Sequence, residues 1–265
     1  MIQKGQNVLS EHAKKRLDFK PELKQINFLD RRVYQRSEGV FYPSVTSILQ
    51  YMPKNKFFES WLKDVGHNSD IIMRKAADEG TQVHDAIEKY LLGEKLALID
   101  EKGFSIYSLF VWQMILKFHD FWLTYKPTLV ESEAHLFSDK YQFAGTCDLV
   151  VEINGVKWLL DIKTSNSLHT SHDLQLSAYA QAWNELYEEK IERVGIIWLK
   201  SAKQKPDKKG DNMQGKGWEI HEPSRTIDEN FKLFGYIHEL YKLEHPNLKQ
   251  SFNTFPTEIQ ISPTV

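Results

Sequence analysis

The sequence predicts an α/β fold, and three observations carry that prediction. Two alternating apolar runs, residues 143–153 and 156–164, flank Asn154-Gly155, and a type I′ turn with positive φ at both central residues makes such a stretch a β-hairpin. Apolar residues at helical spacing recur over 70–92, 105–125 and 171–189. Arg193 to Lys200 (RVGIIWLK) is almost continuously apolar, as expected of a strand covered on both faces. The predicted core is therefore helix, three strands, helix, strand, a mixed central sheet flanked by helices, with N-terminal helical additions.

Residues 1–25 are Lys-rich and weakly periodic, an arm or short helix. Ile26 to Tyr42 reads as a hairpin turning at Ser37-Glu38-Gly39. Pro43 and Ser44 open a short helix, SVTSILQYM, with Ser44 as N-cap and Pro53 as its stop. Phe57, Phe58, Trp61 and Leu62 follow at helical spacing and are expected in the core. The helix over 70–92 carries Val83, Ile87, Tyr90 and Leu91 on one stripe, with His84 and Glu88 as an i,i+4 pair beside it. Gly80-Thr81 interrupts that pattern, marking a kink or a close backbone approach. The helix over 105–125 is stopped by Pro127, and Leu129 to Phe137 is the first strand of the three. In the helix over 171–189, Gln175 and Tyr179 share a face. Residues 200–217 form a polar, lysine-rich loop, Trp218 to Ile220 a returning strand, and Ile227 to Leu243 a last amphipathic helix. No repeat or linker divides the chain, so 1–265 reads as one domain: 1–69 arm, hairpin and helices; 70–200 core; 201–265 loop, helix and tail.

The hairpin holds the chemistry. A two-residue loop makes Ile153 face Val156, and continuing that register sets Asp148 across from Asp161, with Cβ atoms about 4.5–5.5 Å apart. Lys163 falls on the same face by the period of two. Cys147, Leu149, Val151, Ile153, Trp158, Leu160 and Ile162 would make the opposite, apolar face. Adjacent carboxylates repel unless one keeps its proton or a cation lies between them. Hard divalent cations take carboxylate oxygens, and a lysine beside them can orient or deprotonate water or neutralise phosphoryl charge. A surface salt bridge between Lys163 and one aspartate is the competing account.

Composition narrows the function classes. Hydrophobic residues at 41% and charged residues at 26% suit one globular core, and a formal net charge of −2 means any nucleic-acid surface is a local patch. A single cysteine, Cys147, is too few for an internal disulfide or a four-cysteine metal site. The polar N-terminus and the lack of any apolar run of about 20 residues predict a cytoplasmic chain without a membrane partner.

Four motifs together resemble the PD-(D/E)XK nuclease superfamily and, within it, RecB-like and phage-type exonucleases. They are Gly80 to His84 (G-x-x-x-H), Gly145 to Asp148 (G-T-x-D), Asp161 to Ser165 (D-I-K-T-S) and Gln175 to Tyr179 (Q-x-x-x-Y). Tyr42 to Leu49 (YPSVTSIL) is also similar to the stretch before the nuclease core in phage exonucleases and the mitochondrial genome maintenance exonuclease. The resemblance spans residues 26–200 and implies a restriction-endonuclease-like core. It implies metal ligation by His84, Asp148, Asp161 and the Ile162 carbonyl, catalysis by Lys163, and support of that lysine or of the DNA backbone by Gln175 and Tyr179. Glu133 matches an additional acidic position, with Glu131 as its alternative. Cys147 stands where the superfamily's proline would be, and the cysteines that bind an iron–sulfur cluster in some relatives are missing.

The resemblance implies a Mg²⁺- or Mn²⁺-dependent deoxyribonuclease, using one or two ions, that hydrolyses single-stranded or duplex DNA from its ends in replication, recombination or repair, in a bacterial or phage-infected cell. A structure-specific endonuclease of the same fold and an inactive DNA-binding subunit are the alternatives. The expected DNA grip comes from Lys54 and Lys56 and from Lys203, Lys205, Lys208 and Lys209. Tyr51, Phe57 and Trp61 have the chemistry to stack on bases.

Overall fold

A computed structural model describes residues 23–28, 31–54, 56–200 and 217–246. The N-terminal arm and the lysine-rich loop, with Lys203, Lys205, Lys208 and Lys209, lie outside the described residues. Strands β1 (Lys24–Phe28), β2 (Arg31–Ser37) and β3 (Val40–Pro43) form an antiparallel sheet. The expected hairpin is its β2–β3 pair, turning at Glu38-Gly39 where Gly39 has φ 69°; β1 is a further strand. Helix α1 (Val45–Leu49) starts where predicted, with the Ser44 hydroxyl accepting from the Ser47 amide at 2.9 Å. It ends at Leu49, well before Pro53.

Helix α2 (Lys56–Val65) passes through a 3₁₀ turn (Gly66–Asn68) into α3 (Ser69–Leu91). Only the C-terminal half of α3 is buried, through Val83, Ala86, Ile87 and Leu91. Helix α4 (Leu109–Tyr125) begins four residues later than the periodicity suggests, because Ser108 caps it by accepting from the Val111 amide. It closes on Lys126 in the left-handed region, one residue before Pro127.

The main sheet runs β4 (Thr128–Ser138), β5 (Phe143–Ile153), β6 (Val156–Lys163), β7 (Arg193–Trp198) and β8 (Glu219–His221) in spatial as well as chain order. All neighbours are antiparallel except β6 and β7. A parallel pair needs a crossover, and α5 (Thr170–Leu186) supplies it. One face packs against α5, α6 (Ile227–Glu244) and α1; the other packs against α3 and α4. With both faces covered, β7 is apolar nearly throughout, as is β6 from Trp158 to Leu160. The α/β expectation holds in this form: a five-stranded mixed sheet between helical layers.

Asn154 (φ 53°) and Gly155 (φ 77°) form the predicted turn, and the register from Ile153↔Val156 to Leu149↔Leu160 is the predicted one. Regular alternation stops there. Leu149 and Val151 enter the core under α3 and α4, whereas Cys147 enters the core under α5. Residues two apart in a strand should share a face, so β5 turns over at Asp148. This corrects the expectation that Cys147 lines the same face as Leu149. On β4 the turnover falls at Glu133: its neighbours Ser132 and Ala134 pair with Leu149 and Cys147, and Glu133 itself has φ 49°. Left-handed backbone in a non-glycine residue is uncommon and costs on the order of 1–2 kcal/mol.

Candidate functional site

The turnover opens the sheet onto a cleft of roughly 1380 Å³. Its floor holds Glu133 from β4, Asp148 from β5, Asp161 and Lys163 from β6, and Gln175 and Tyr179 from α5; His84 of α3 closes one side. Each sequence-derived site residue therefore lines one space. Ligand atoms of His84, Glu133 and Asp148 all lie within 4.8 Å of one another, and His84 Nδ1 stands 3.7 Å from Asp148 Oδ1. Glu133, rather than Glu131, is the acidic residue of β4 in this group.

β6 fixes Asp148: the Ile162 amide donates to Asp148 Oδ2 at 2.6 Å. Asp161 is 2% exposed. Gln175 Nε2 donates to Asp161 Oδ1 at 3.0 Å and reaches the Tyr179 hydroxyl at 3.4 Å. Gln175 thus steadies the aspartate, whereas the resemblance implies that it supports the lysine or the DNA backbone. Lys163 Nζ lies 2.6 Å from Asp161 Oδ2. That contact is no surface salt bridge, because the Asp161 carboxylate is buried in the interior.

Gly145 is required by this packing. A Cβ there would lie 2.4 Å from Tyr179 Cε1, far inside van der Waals contact. Gly80 is different: a Cβ would meet only Thr164 Oγ1, at 3.5 Å, so the helix tolerates a side chain there and is not kinked by close approach.

Burial, then the charge of Asp161, pushes the Asp148 carboxyl above the usual aspartate range. Glu133 stands exposed along its strand, but its carboxyl turns into the cleft. Desolvation followed by the charge of Asp148 pushes it up to about 7. Burial pulls Lys163 down, yet Asp161 and Asp148 outweigh it and hold the ammonium above the ordinary lysine range. Burial, then the Lys163 charge, lowers His172 to about 4, leaving a neutral imidazole behind the lysine.

These donors suit a divalent cation. They are carboxylate oxygens and one imidazole nitrogen, and the ligand atoms of His84, Glu133 and Asp148 lie close enough together to hold one ion. Burial raises Asp148 and Glu133 most, and the mutual repulsion that adds to it is what a cation would relieve.

Some participants escape the sequence reading. Arg32 of β2 and Lys200 after β7 line the cleft; the Arg31-Arg32 pair that opens β2 is the one available signal. Phe58 and Trp61 also line it, so they are not core residues as expected. Tyr51 points elsewhere, packing edge-on against Tyr241 and His245 at 5.5 and 5.6 Å.

No family model matches the chain, and no curated protein matches it. Among solved structures it is similar to a protein described as "Crystal structure of SSO0001", at 14% identity and a TM-score of 0.36, over 88% of this chain and 84% of that one. So loose a likeness says nothing of the site. No helix among the described residues is long and apolar enough to cross a membrane.

Proposed function

We propose that the protein is a metal-dependent deoxyribonuclease of the PD-(D/E)XK type, acting on DNA ends. The observation that carries this reading is the convergence of Asp148, Asp161 and Lys163 at one break in the sheet, with His84 and Glu133 across the same cleft. The element order helix α4, strands β4 to β6, helix α5 and strand β7 supports a restriction-endonuclease-like core. A DNA-binding module has no use for adjoining carboxylates near a phosphate.

His84, Glu133, Asp148 and Asp161 would hold Mg²⁺ or Mn²⁺, with the Ile162 carbonyl as a further oxygen. When bound, the cation polarises a phosphoryl oxygen and makes its water more acidic. Lys163 enters as an ammonium, so its part is to orient the attacking water and to neutralise charge growing on the phosphate rather than to take the proton. Gln175 keeps Asp161 in position, and Tyr179, wedged against Gly145, keeps Gln175 there. Six carboxylates line the cleft (Glu79, Asp85, Glu88, Glu133, Asp148, Asp161) against the fixed cations Arg32, Lys163 and Lys200. A polyanion is repelled from such a cleft until cations are bound, which makes DNA binding itself metal-dependent.

The test is digestion of end-labelled linear DNA and of a closed circle with Mg²⁺ or Mn²⁺. Degradation of the linear form alone is expected. Nicking of the circle would assign an endonuclease instead, and no hydrolysis of either with either metal would overturn the reading.

A further inference from the structure

Helix α4 is apolar on two opposite sides. Val111, Met114, Ile115, Phe118, Phe121 and Trp122 enter the core. Leu109, Leu116 and Leu123, which recur at seven-residue intervals, are 70%, 48% and 56% exposed. At 3.6 residues per turn, these leucines with Gln113 and Asp120, both exposed, make a stripe about 80° wide and about 21 Å long. That stripe faces directly away from the core residues. A helix apolar all round belongs inside a structure, yet the leucine side of α4 lies open. The loop leading into the helix adds Phe104 and Ile106, 69% and 50% exposed. Single exposed apolar residues are ordinary, whereas a continuous run of them marks a contact surface.

We propose that α4 pairs with α4 of a second copy of this chain, antiparallel, about a two-fold axis at Leu116. This pairing does not depend on the nuclease reading. A leucine at every seventh residue is the seam of two paired helices, not the footprint of a loop or a strand. The stripe is also self-complementary. Reversal about Leu116 brings Leu109 onto Leu123 of the second copy and Leu116 onto its own counterpart, as an isologous contact requires. The polar positions match under the same reversal. Gln113 comes to lie beside Asp120 of the second copy, an amide donor next to a carboxylate. Asp120 Oδ2 already accepts from Trp218 Nε1 at 2.7 Å, and a carboxylate has capacity for further donors. A parallel pair would instead set the two Asp120 carboxylates against each other, and they would repel. One helix and its leading loop make an interface at the low end of specific ones, so the pair should dissociate in the micromolar range.

Sedimentation velocity over a concentration series tests the pairing, and cysteine cross-linking tests its direction. The wild-type chain should pass from monomer to dimer through the micromolar range. Leu116→Asp sets two like charges together on the axis, so it should weaken association by about a hundredfold or more. Its melting temperature, measured on the dilute monomer, should match that of the wild type. Under mild oxidant Leu116→Cys should form a covalent dimer. Leu109→Cys and Leu123→Cys should each form none alone, and the two combined in one chain should form one. The native Cys147 is buried and does not compete. Cross-linking by Leu109→Cys alone would mean a parallel pair and overturn the axis. A wild-type chain monomeric at every concentration, or a dimer that Leu116→Asp leaves intact, would overturn the proposal. A lower melting temperature for the dilute Leu116→Asp monomer would overturn it too, by assigning the cover of the stripe to the chain's own remaining residues.

Discussion

The β5–β6 hairpin has two ends that obey different rules. From the Asn154-Gly155 turn to Leu149↔Leu160 it is regular: alternation holds, pairs match, and each side chain enters the core its parity assigns. One pair further on, β5 turns over at Asp148, Glu133 adopts a left-handed backbone, and polar side chains replace apolar ones. Strain and charge repulsion gather at the second end and stability at the first. That contrast is the expected signature of a site built on a rigid scaffold.

The sharpest way to break the comparison is substitution at the irregular end. Asp148→Asn and Lys163→Met should each lower the cleavage rate by about a hundredfold or more, measured in single-turnover digestion. Asp161→Ala should do the same and also destabilise the fold by roughly 3 kcal/mol in urea melts, because it strands the Lys163 ammonium beside a buried gap. Activity retained in Lys163→Met at saturating metal would separate the break from the chemistry.

Gly145→Ala comes next. Its Cβ collides with the Tyr179 ring, so a loss of about 2 kcal/mol is expected, and this loss should shrink when it is measured in a Tyr179→Ala background. A single substitution as stable as wild type would show that the ring can move aside. At the regular end, Gly155→Ala should cost about 1–2 kcal/mol through its positive φ and leave the rate per folded molecule unchanged. A fall in that rate would mean that the turn end also shapes the site.

The smallest effect is on pH dependence. Folded Glu133 titrates near 7, above the about 4.3 of a free glutamate, so through that interval the folded chain holds a proton the unfolded chain has lost. The stability it contributes is complete below the unfolded value and lost as pH rises through the folded one. Metal-free Tm should therefore fall between about pH 4.3 and 7, less steeply in Glu133→Gln, and added Mg²⁺ should offset the fall. A Tm that rises with pH over this range in the wild type alone would contradict the assignment.

The regular end was legible because hairpin chemistry and a period of two are local: Asn154-Gly155 and the alternation beside it set the register without tertiary information. The motif spacing also named Asp148, Asp161, Lys163, His84, Gln175 and Tyr179, all of which line the cleft. The turnover was not legible, since a sequence has no period for a strand that changes face, and Cys147 was misassigned for that reason. Helical spacing places Phe58 and Trp61 in the core because it reports one apolar face and not what that face meets. Arg32 stayed hidden because its sheet approaches the site only through tertiary packing.

The central claim is that the break at Glu133 and Asp148 assembles a cation site, and diffraction from Mn²⁺-soaked crystals tests it most directly. The account predicts an anomalous peak among His84, Glu133, Asp148 and Asp161, lost or weakened in Asp148→Asn. A map at saturating Mn²⁺ with no peak there, or with the ion held elsewhere on the chain, would contradict it.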